Sequence, residues 1–462
     1  MSKTIKIKQG FNINLAGKAE KSFSDCGQPE TFAVKPTDFQ GIDRPKLLVN
    51  EGDEVKAGTP VFYDKKNEKI KFTTPVSGEI VEIKRGEKRK LLEIKILADK
   101  KNQYVAFPEY TVSDMANLSR EQVVEGLLNS GIWPNLIQRP FAIVANPDDT
   151  PKSIFVSCFD SHPLAPDYDF LFKGEELYFQ AGIAILMKLT HGKVHLNINA
   201  DAEVSPIFSR IEDVEINKFS GPHPAGNVGI QIHHIDPVNK GDIVWTIKPF
   251  GVIQIGKLFL EGKYDAARIV AVAGSEVISP QYYQTYTGAC INKFVEKNLN
   301  PDSVASGDEN IRFISGNVLT GEKIEPDGYL GFYIDLLTVI PEGNHYEFFG
   351  WILPSFKKLS MQRAIGLLSF LNSKKKEYIV DTNFHGEERP FVQTGALERV
   401  LPMDIYPTHL LKAIIANDYD GMEALGIFEV AEEDFALCEF IDVSKNDIQA
   451  IIREGIEVIR AG

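Results

Sequence analysis

The chain has 462 residues, 43% of them apolar and 25% charged, and a formal net charge of −14. That length calls for three or four domains of ordinary size, with the composition of a soluble globular protein. The acidic balance argues against nucleic acid and against unaided adsorption to anionic lipid, and no apolar run approaches the ~18 residues of a membrane span. The charge is uneven: residues 1–101 carry 21 Lys and Arg against 15 Asp and Glu, the remainder 29 against 49. Such an asymmetry would orient the molecule on a partner surface, or simply solvate a small basic β-domain. Cys26, Cys158, Cys290 and Cys438 are scattered. Without a Cys-x-x-Cys pair, zinc ribbons, thioredoxin chemistry and self-contained iron–sulfur clusters lack ligands, so each cysteine reads as a small buried hydrophobe.

The N-terminus alternates over Thr4–Ile7 like a strand and not like a signal peptide, so the chain is expected to stay in the cytoplasm. The Phe11–Leu15 run follows. Two quasi-symmetric segments come next, Val49–Phe62 and Thr74–Ile83. Gly52 and Gly58 suit tight turns, Pro75 and Gly78 a return turn, and Val49, Val55, Val61, Ile80 and Ile83 would fill a small barrel. A basic turn, Lys84–Lys90, leads to a last strand over Leu91–Leu97. Ser119 with Gln122 three residues on predicts a capped helix ending near Ser130-Gly131. Ile154–Phe159 reads as a buried parallel strand, Tyr178–Leu189 as an apolar helix and Val194–Ile198 as the next strand, an alternation that predicts a doubly wound sheet. Gly256–Gly262 and Ala267–Gly274 read as a helix and a strand of a β-grasp module. Arg312–Gly321 and Tyr346–Ile352 read as further strands, with the Glu347–Trp351 aromatics in the core. From about residue 404 the chain is helical: one helix opens with Thr408 as its cap, and the last sets Ile448, Ile451, Ile452, Ile456 and Ile459 on one face.

The string Phe219–Ile235 holds three glycines, two prolines and His223, so its backbone can approach a ligand closely. No Lys-Ser/Thr follows, which excludes a P-loop. His223, His233 and His234 do not make a convincing metal set, because His223 sits in a Pro-flanked turn and adjacent histidines on a strand face opposite ways. Structural histidines, or one lining a ligand or an interface, are the expected reading.

Val49–Phe62 and Thr74–Ile83 resemble a biotinyl/lipoyl carrier domain that has lost its carrier lysine. The intervening hairpin reads Asp64-Lys-Lys-Asn-Glu-Lys69, with Asn67 at the attachment position, so a structural module without a prosthetic group is expected. A wider likeness rests on Ser130–Pro134 with Arg139–Phe141, on Ile154–Ala165 and on the Gly221–Gly226 loop. Ile255–Phe259, Ile314–Gly321, Glu347–Trp351 and Glu398–Thr408 extend it. Together these strings resemble the NqrA family, one of the subunits of the Na⁺-translocating NADH:quinone reductases, from end to end of the chain. Distant relatives are the RnfC proteins and the flavin/NADH subunit of respiratory complex I.

The resemblance implies an α/β multidomain chain. Its parts would be a biotinyl/lipoyl-like barrel-sandwich hybrid (1–100), a Rossmann-like α/β domain (101–258), a β-grasp SLBB-like domain (259–330) and a C-terminal mixed then helical region (331–462). It implies a peripheral subunit on the cytoplasmic face of the membrane, partnered by the other subunits (B to F) of the complex and reaching the membrane only through them. The complex couples NADH oxidation and ubiquinone or menaquinone reduction to sodium export, with flavins and iron–sulfur or iron centres in other subunits. This chain would assist quinone reduction or assembly, bind no cofactor or metal and not be catalytic alone. Flavin-binding relatives cradle a phosphate on a glycine-rich loop, but here Ser130-Gly-Ile-Trp-Pro134 keeps one glycine, and Trp133 and Pro134 would obstruct the nest. Cys438 stands alone, Asp442 replaces a second cysteine common in the family, and Gln231 breaks a His-x-His pair ending at His233. If quinone touches this chain, Gly131, Trp133, Pro134 and His223 are the expected contacts. The competing readings are a free-standing flavin or NADH oxidoreductase and a lysine-modified carrier.

Overall fold

A computed structural model describes residues 3–24, 27–202, 205–301, 310–345, 348–349, 359, 376–392 and 395–462. The N-terminal β-module is two small sheets. Thr31–Val34, Leu91–Ala98, Gly78–Arg85 and Glu54–Val55 form one, and Pro45–Leu47, Pro60–Asp64 and Asn67–Thr73 the other. Val49, Val55, Val61 and Ile80 are buried between them as expected, with Phe62 stacked on Phe72 at 4.4 Å; Ile83 is only half-buried. The Asp64–Lys69 hairpin does not project freely. Lys66 pairs with Asp43, Lys69 with Asp148 at 2.7 Å, and the Asn67 amide faces Asn146. The hairpin touches the next domain through Lys69 and Asn67.

That domain is a seven-stranded sheet. Thr4–Lys6, Glu215–Ser220, Lys193–Asn199, Ser153–Ser157 and Val244–Thr246 run parallel, and Ile137–Arg139 and Ile143–Val144 close one edge antiparallel. Ile154, Phe155 and Val156 are wholly buried, because helices cover both faces of a parallel strand. The first strand, read with the β-module in the sequence, is the outer strand of this sheet and ties the two units together.

The Arg120–Ser130 helix starts on the expected capping box of Ser119 and Gln122 and ends on Gly131 at φ +76°. Glu176–Leu186 and Pro249–Glu261 cross in backbone contact: a Cβ on Gly182 would lie 2.0 Å from the Val252 carbonyl oxygen, one on Gly256 1.9 Å from that of Tyr178. The helix expected at Gly256–Gly262 in the β-grasp module is therefore the second half of this α/β-domain helix. The 233–234 pair also differs from expectation. Both histidines lie on the Val228–Ile235 helix, rings 5.3 Å apart, and not on a strand.

A five-stranded sheet follows: Gln281–Tyr286, Ala267–Ala273, Leu336–Pro341, Ile311–Ser315 and Glu322–Ile324. Most of Tyr346–Ile352 lies outside the described residues. Phe348 and Phe349, expected in the core, are exposed. The C-terminal helices form as predicted, but Pro407 opens Pro407–Ile415 at its first turn, and Thr408 is buried inside it rather than capping it. Ile448–Ala461 buries Ile448, Ile452 and Ile456, and Ile451 and Ile459 pack at its margin. No helix of the described residues is long and apolar enough to cross a membrane.

Candidate functional site

In a parallel sheet, ligand crevices open at the carboxyl ends of the strands, where the strand order reverses. Here that point lies between Ser153–Ser157 and Val244–Thr246, and a cavity of about 620 Å³ opens there. Ser157, Phe159, Asp160 and His162 come from the first strand end, and Thr246, Ile247 and Lys248 from the second. The Gly221–Gly226 loop brings His223, the β-grasp domain Tyr333 and Asp335, and the last helix Gln449 and Arg453.

Asp160 and His162 form an ion pair at 2.9 Å, and His162 donates its other ring proton to the Pro163 carbonyl at 3.1 Å. Burial alone would raise the Asp160 carboxyl, but the imidazolium outweighs it and holds the acid well below its usual range. Burial likewise opposes the His162 charge, and Asp160 outweighs it to raise the ring above its ordinary value. His223 is different. Burial pushes it down to about 4, with Asp160 offsetting only part of that, so it is neutral at physiological pH. Ser161 Oγ accepts from the Gly226 N–H at 2.8 Å and lies 3.0 Å from His223 Nδ1. Which of the two donates follows the tautomer of the ring.

Arg139 is buried on Glu433 at 2.6 Å and near Asp434 at 3.6 Å. Burial would lower the guanidinium, but Glu433, Asp434 and Glu432 outweigh it. Burial raises the Asp434 carboxyl, which Arg139 only partly offsets.

The four residues expected from sequence do not share one wall. His223 lines the large cavity. Gly131 and Pro134 line a separate pocket with Phe39, Phe72 and Tyr264, of about 10 Å³, room for roughly one water. Trp133 is wholly buried beside Trp245 and donates Nε1–H to the Ala145 carbonyl at 2.7 Å. Four amides around this turn are spent within the chain: Gly131 on Leu128, Ile132 on Leu127, Asn135 on Ile132 and Leu136 on Trp133. A phosphate nest needs several free amides converging on one point, and Pro134 has none to give.

Gln231 is buried and spends its side chain on Asn197, Ser157 and Ala225. Burial pushes the Cys438 thiol far up, and Asp442 accepts from the amides of Ser444 and Asn446. No group of three His, Cys, Asp or Glu able to hold a metal occurs among the described residues. The Asp160–His162 pair and Arg139 do not stand out in the sequence as site residues. The signal of Asp160 and His162 is positional, a charged step directly after a buried parallel strand, whereas Arg139 ends an antiparallel edge strand.

Three family models match in register with these units: the NqrA N-terminal barrel-sandwich hybrid domain over residues 5–99, the NqrA second alpha/beta domain over 118–264 and the NqrA C-terminal SLBB domain over 269–325. The corresponding Na(+)-translocating NADH-quinone reductase protein of Serratia proteamaculans is 40% identical over 97% of this chain and 98% of its own. The chain belongs to the NqrA family. The NqrA proteins of Pasteurella multocida and Neisseria meningitidis serogroup B are each 38% identical, over 98% of this chain and 99% of theirs. Among solved structures, a chain of an NAD⁺-reducing [NiFe]-hydrogenase covers 49% of this chain and 47% of its own at 13% identity and a TM-score of 0.35, from which no equivalence is drawn. The NqrA units meet around the large cavity: the second domain supplies its floor, the SLBB domain one wall and the C-terminal helices the other.

Proposed function

We propose that this chain is the peripheral NqrA component of a sodium-pumping NADH:quinone reductase, that it works on the cytoplasmic side without a cofactor of its own, and that it helps build the quinone-reducing region. The observation that carries the reading is near-full-length identity to NqrA proteins of about 40%. The spent amides after the Arg120–Ser130 helix support the cofactor-free part. The contacts proposed from sequence for quinone divide by size. The pocket at Gly131 and Pro134 is too small for a ring, whereas the cavity at His223 has the volume of an ordinary small-molecule site. There the neutral His223 would donate a ring N–H to a quinone oxygen, against apolar walls of Phe159, Ile247 and Phe250. Trp133 and Pro134 would act beneath it, by holding the floor.

The test uses the whole complex with His223→Leu and His223→Phe. We expect the KM for quinone to rise about tenfold, the loss of one hydrogen bond, with NADH oxidation by an artificial acceptor unchanged. An unchanged quinone KM in both variants would refute the placement of quinone in this cavity.

A further inference from the structure

A second cavity, of about 340 Å³, lies between the Pro249–Glu261 helix and the Ala267–Ala273 and Gln281–Tyr286 strands. Phe250 and Asp335 line both cavities and form the partition. Its polar groups are built in but incompletely satisfied. Arg268 is 6% exposed, lies flat on the Phe250 ring at 3.4 Å, and donates through Nη2 to Thr287 Oγ1 at 3.0 Å and the Phe332 carbonyl at 3.3 Å. Its Nε and Nη1 have no acceptor among the described residues. Asp335, 4% exposed, has no donor for Oδ2, and Glu175 has none for Oε2, among the described residues. No ion pair among the described residues joins Arg268 to either acid. Buried polar groups and charges are ordinarily paired, and here donors and acceptors are left over around one space.

The charges narrow the ligand. Lys257 is engaged by Glu175 at 3.0 Å and Asp265 at 3.1 Å, so Arg268 is the cation still in need of an acceptor. A simple anion would meet that need but face the acids Asp335 and Glu175. A simple cation would suit the acids and leave Arg268 unpaired. A molecule carrying both charges close together satisfies both sets. Leu171, Phe172 and Ile253 supply an apolar wall for the remainder of such a molecule.

We propose that this cavity is a binding site for an α-amino acid with an apolar side chain. The carboxylate accepts from Arg268 Nη1, the ammonium lies between Asp335 and Glu175, and the side chain lies along Leu171 and Ile253. A guanidinium stacked on an aromatic ring and donating from its edge to a carboxylate is an arrangement arginine is suited to make. The site is separate from the cavity assigned to quinone and stands whether or not that assignment does.

The experiment is thermal denaturation of the full chain with each of the twenty L-amino acids at millimolar concentration. Matched controls are 4-methylpentanoate, which lacks leucine's ammonium, and 3-methylbutylamine, which lacks its carboxylate. The expected result is a Tm raised by about 3 °C at a hundredfold excess over Kd for one or more of Leu, Ile, Val, Met and Phe, and by neither control. Arg268→Gln and Asp335→Asn should each abolish the shift. Should either variant fail to fold, Ile253→Trp, which fills the cavity, replaces it. No shift with any amino acid would overturn the proposal and leave a water-filled cavity. A shift retained in the folded variants would overturn it as well.

Discussion

His223 makes the stability of this chain sensitive to acid, and the size of the effect follows from its burial. The ring is 3% exposed and pushed down to about 4, against about 6.5 in an unfolded chain. Between those values the unfolded state binds a proton that the folded state does not, so stability rises with pH there. The contribution is complete above the unfolded value and is lost as pH falls through the folded one. At about 1.4 kcal/mol per unit, about 2 kcal/mol is lost on going from neutral pH to about pH 5, and about 3 kcal/mol by about pH 4. Asp160 and His162 face the same ring and titrate too, so the informative quantity is a difference between proteins. His223→Gln keeps a neutral hydrogen-bonding partner for the Ser161 hydroxyl and removes the titration. Urea denaturation of both proteins at neutral pH and at about pH 5 should show the wild type losing about 2 kcal/mol more than the variant. Equal losses would refute the argument that His223 is buried neutral.

Gly182→Ala should destabilise by about 3 kcal/mol in urea denaturation, because its methyl meets the Val252 carbonyl where two helices touch backbone to backbone; a neutral result would mean that the helices lie further apart. Gly131→Ala should also destabilise, through its left-handed φ and through a Cβ 2.4 Å from the Thr73 side chain. In a Thr73→Gly background, which also removes the Thr73 Cβ 2.9 Å away, the penalty should fall to the backbone part, about 1 kcal/mol. Burial raises the thiols of Cys158 and Cys438, so both should resist iodoacetamide in the folded chain and label fully in urea, read by peptide mass spectrometry. Rapid labelling of either in the native state would contradict its placement.

What can be read in the sequence is whatever local chemistry decides. Ser119, Gln122 and Gly131 mark both ends of a helix because caps are local. Ile154–Phe155–Val156 announces a parallel strand because burial on both faces leaves no polar position. Gly256 misleads because its helix is defined by a partner far away in sequence, and its glycine serves that crossing rather than a domain boundary. The histidines at 233 and 234 read as strand residues because Ile230, Ile232 and Ile235 give a mixed period over so short a span. Gly131, Trp133 and His223 each stand out in the sequence as unusual. Their distribution over two cavities and a buried core depends on how the β-module, the sheet and the β-grasp domain meet, which no single segment encodes. Arg268 and Asp335 are silent for the same reason, since their significance lies in being close in space without pairing.

The central claim, that this chain works as the NqrA component of a membrane-bound sodium-pumping reductase, is tested most directly by isolating the tagged chain from its native membranes and assaying NADH:quinone reductase activity with and without sodium. The account predicts co-purification with several membrane proteins, activity stimulated by sodium, and an isolated chain that is colourless near 450 nm at its unmodified sequence mass. A solitary protein carrying its own flavin, or one with a modified lysine, would contradict it.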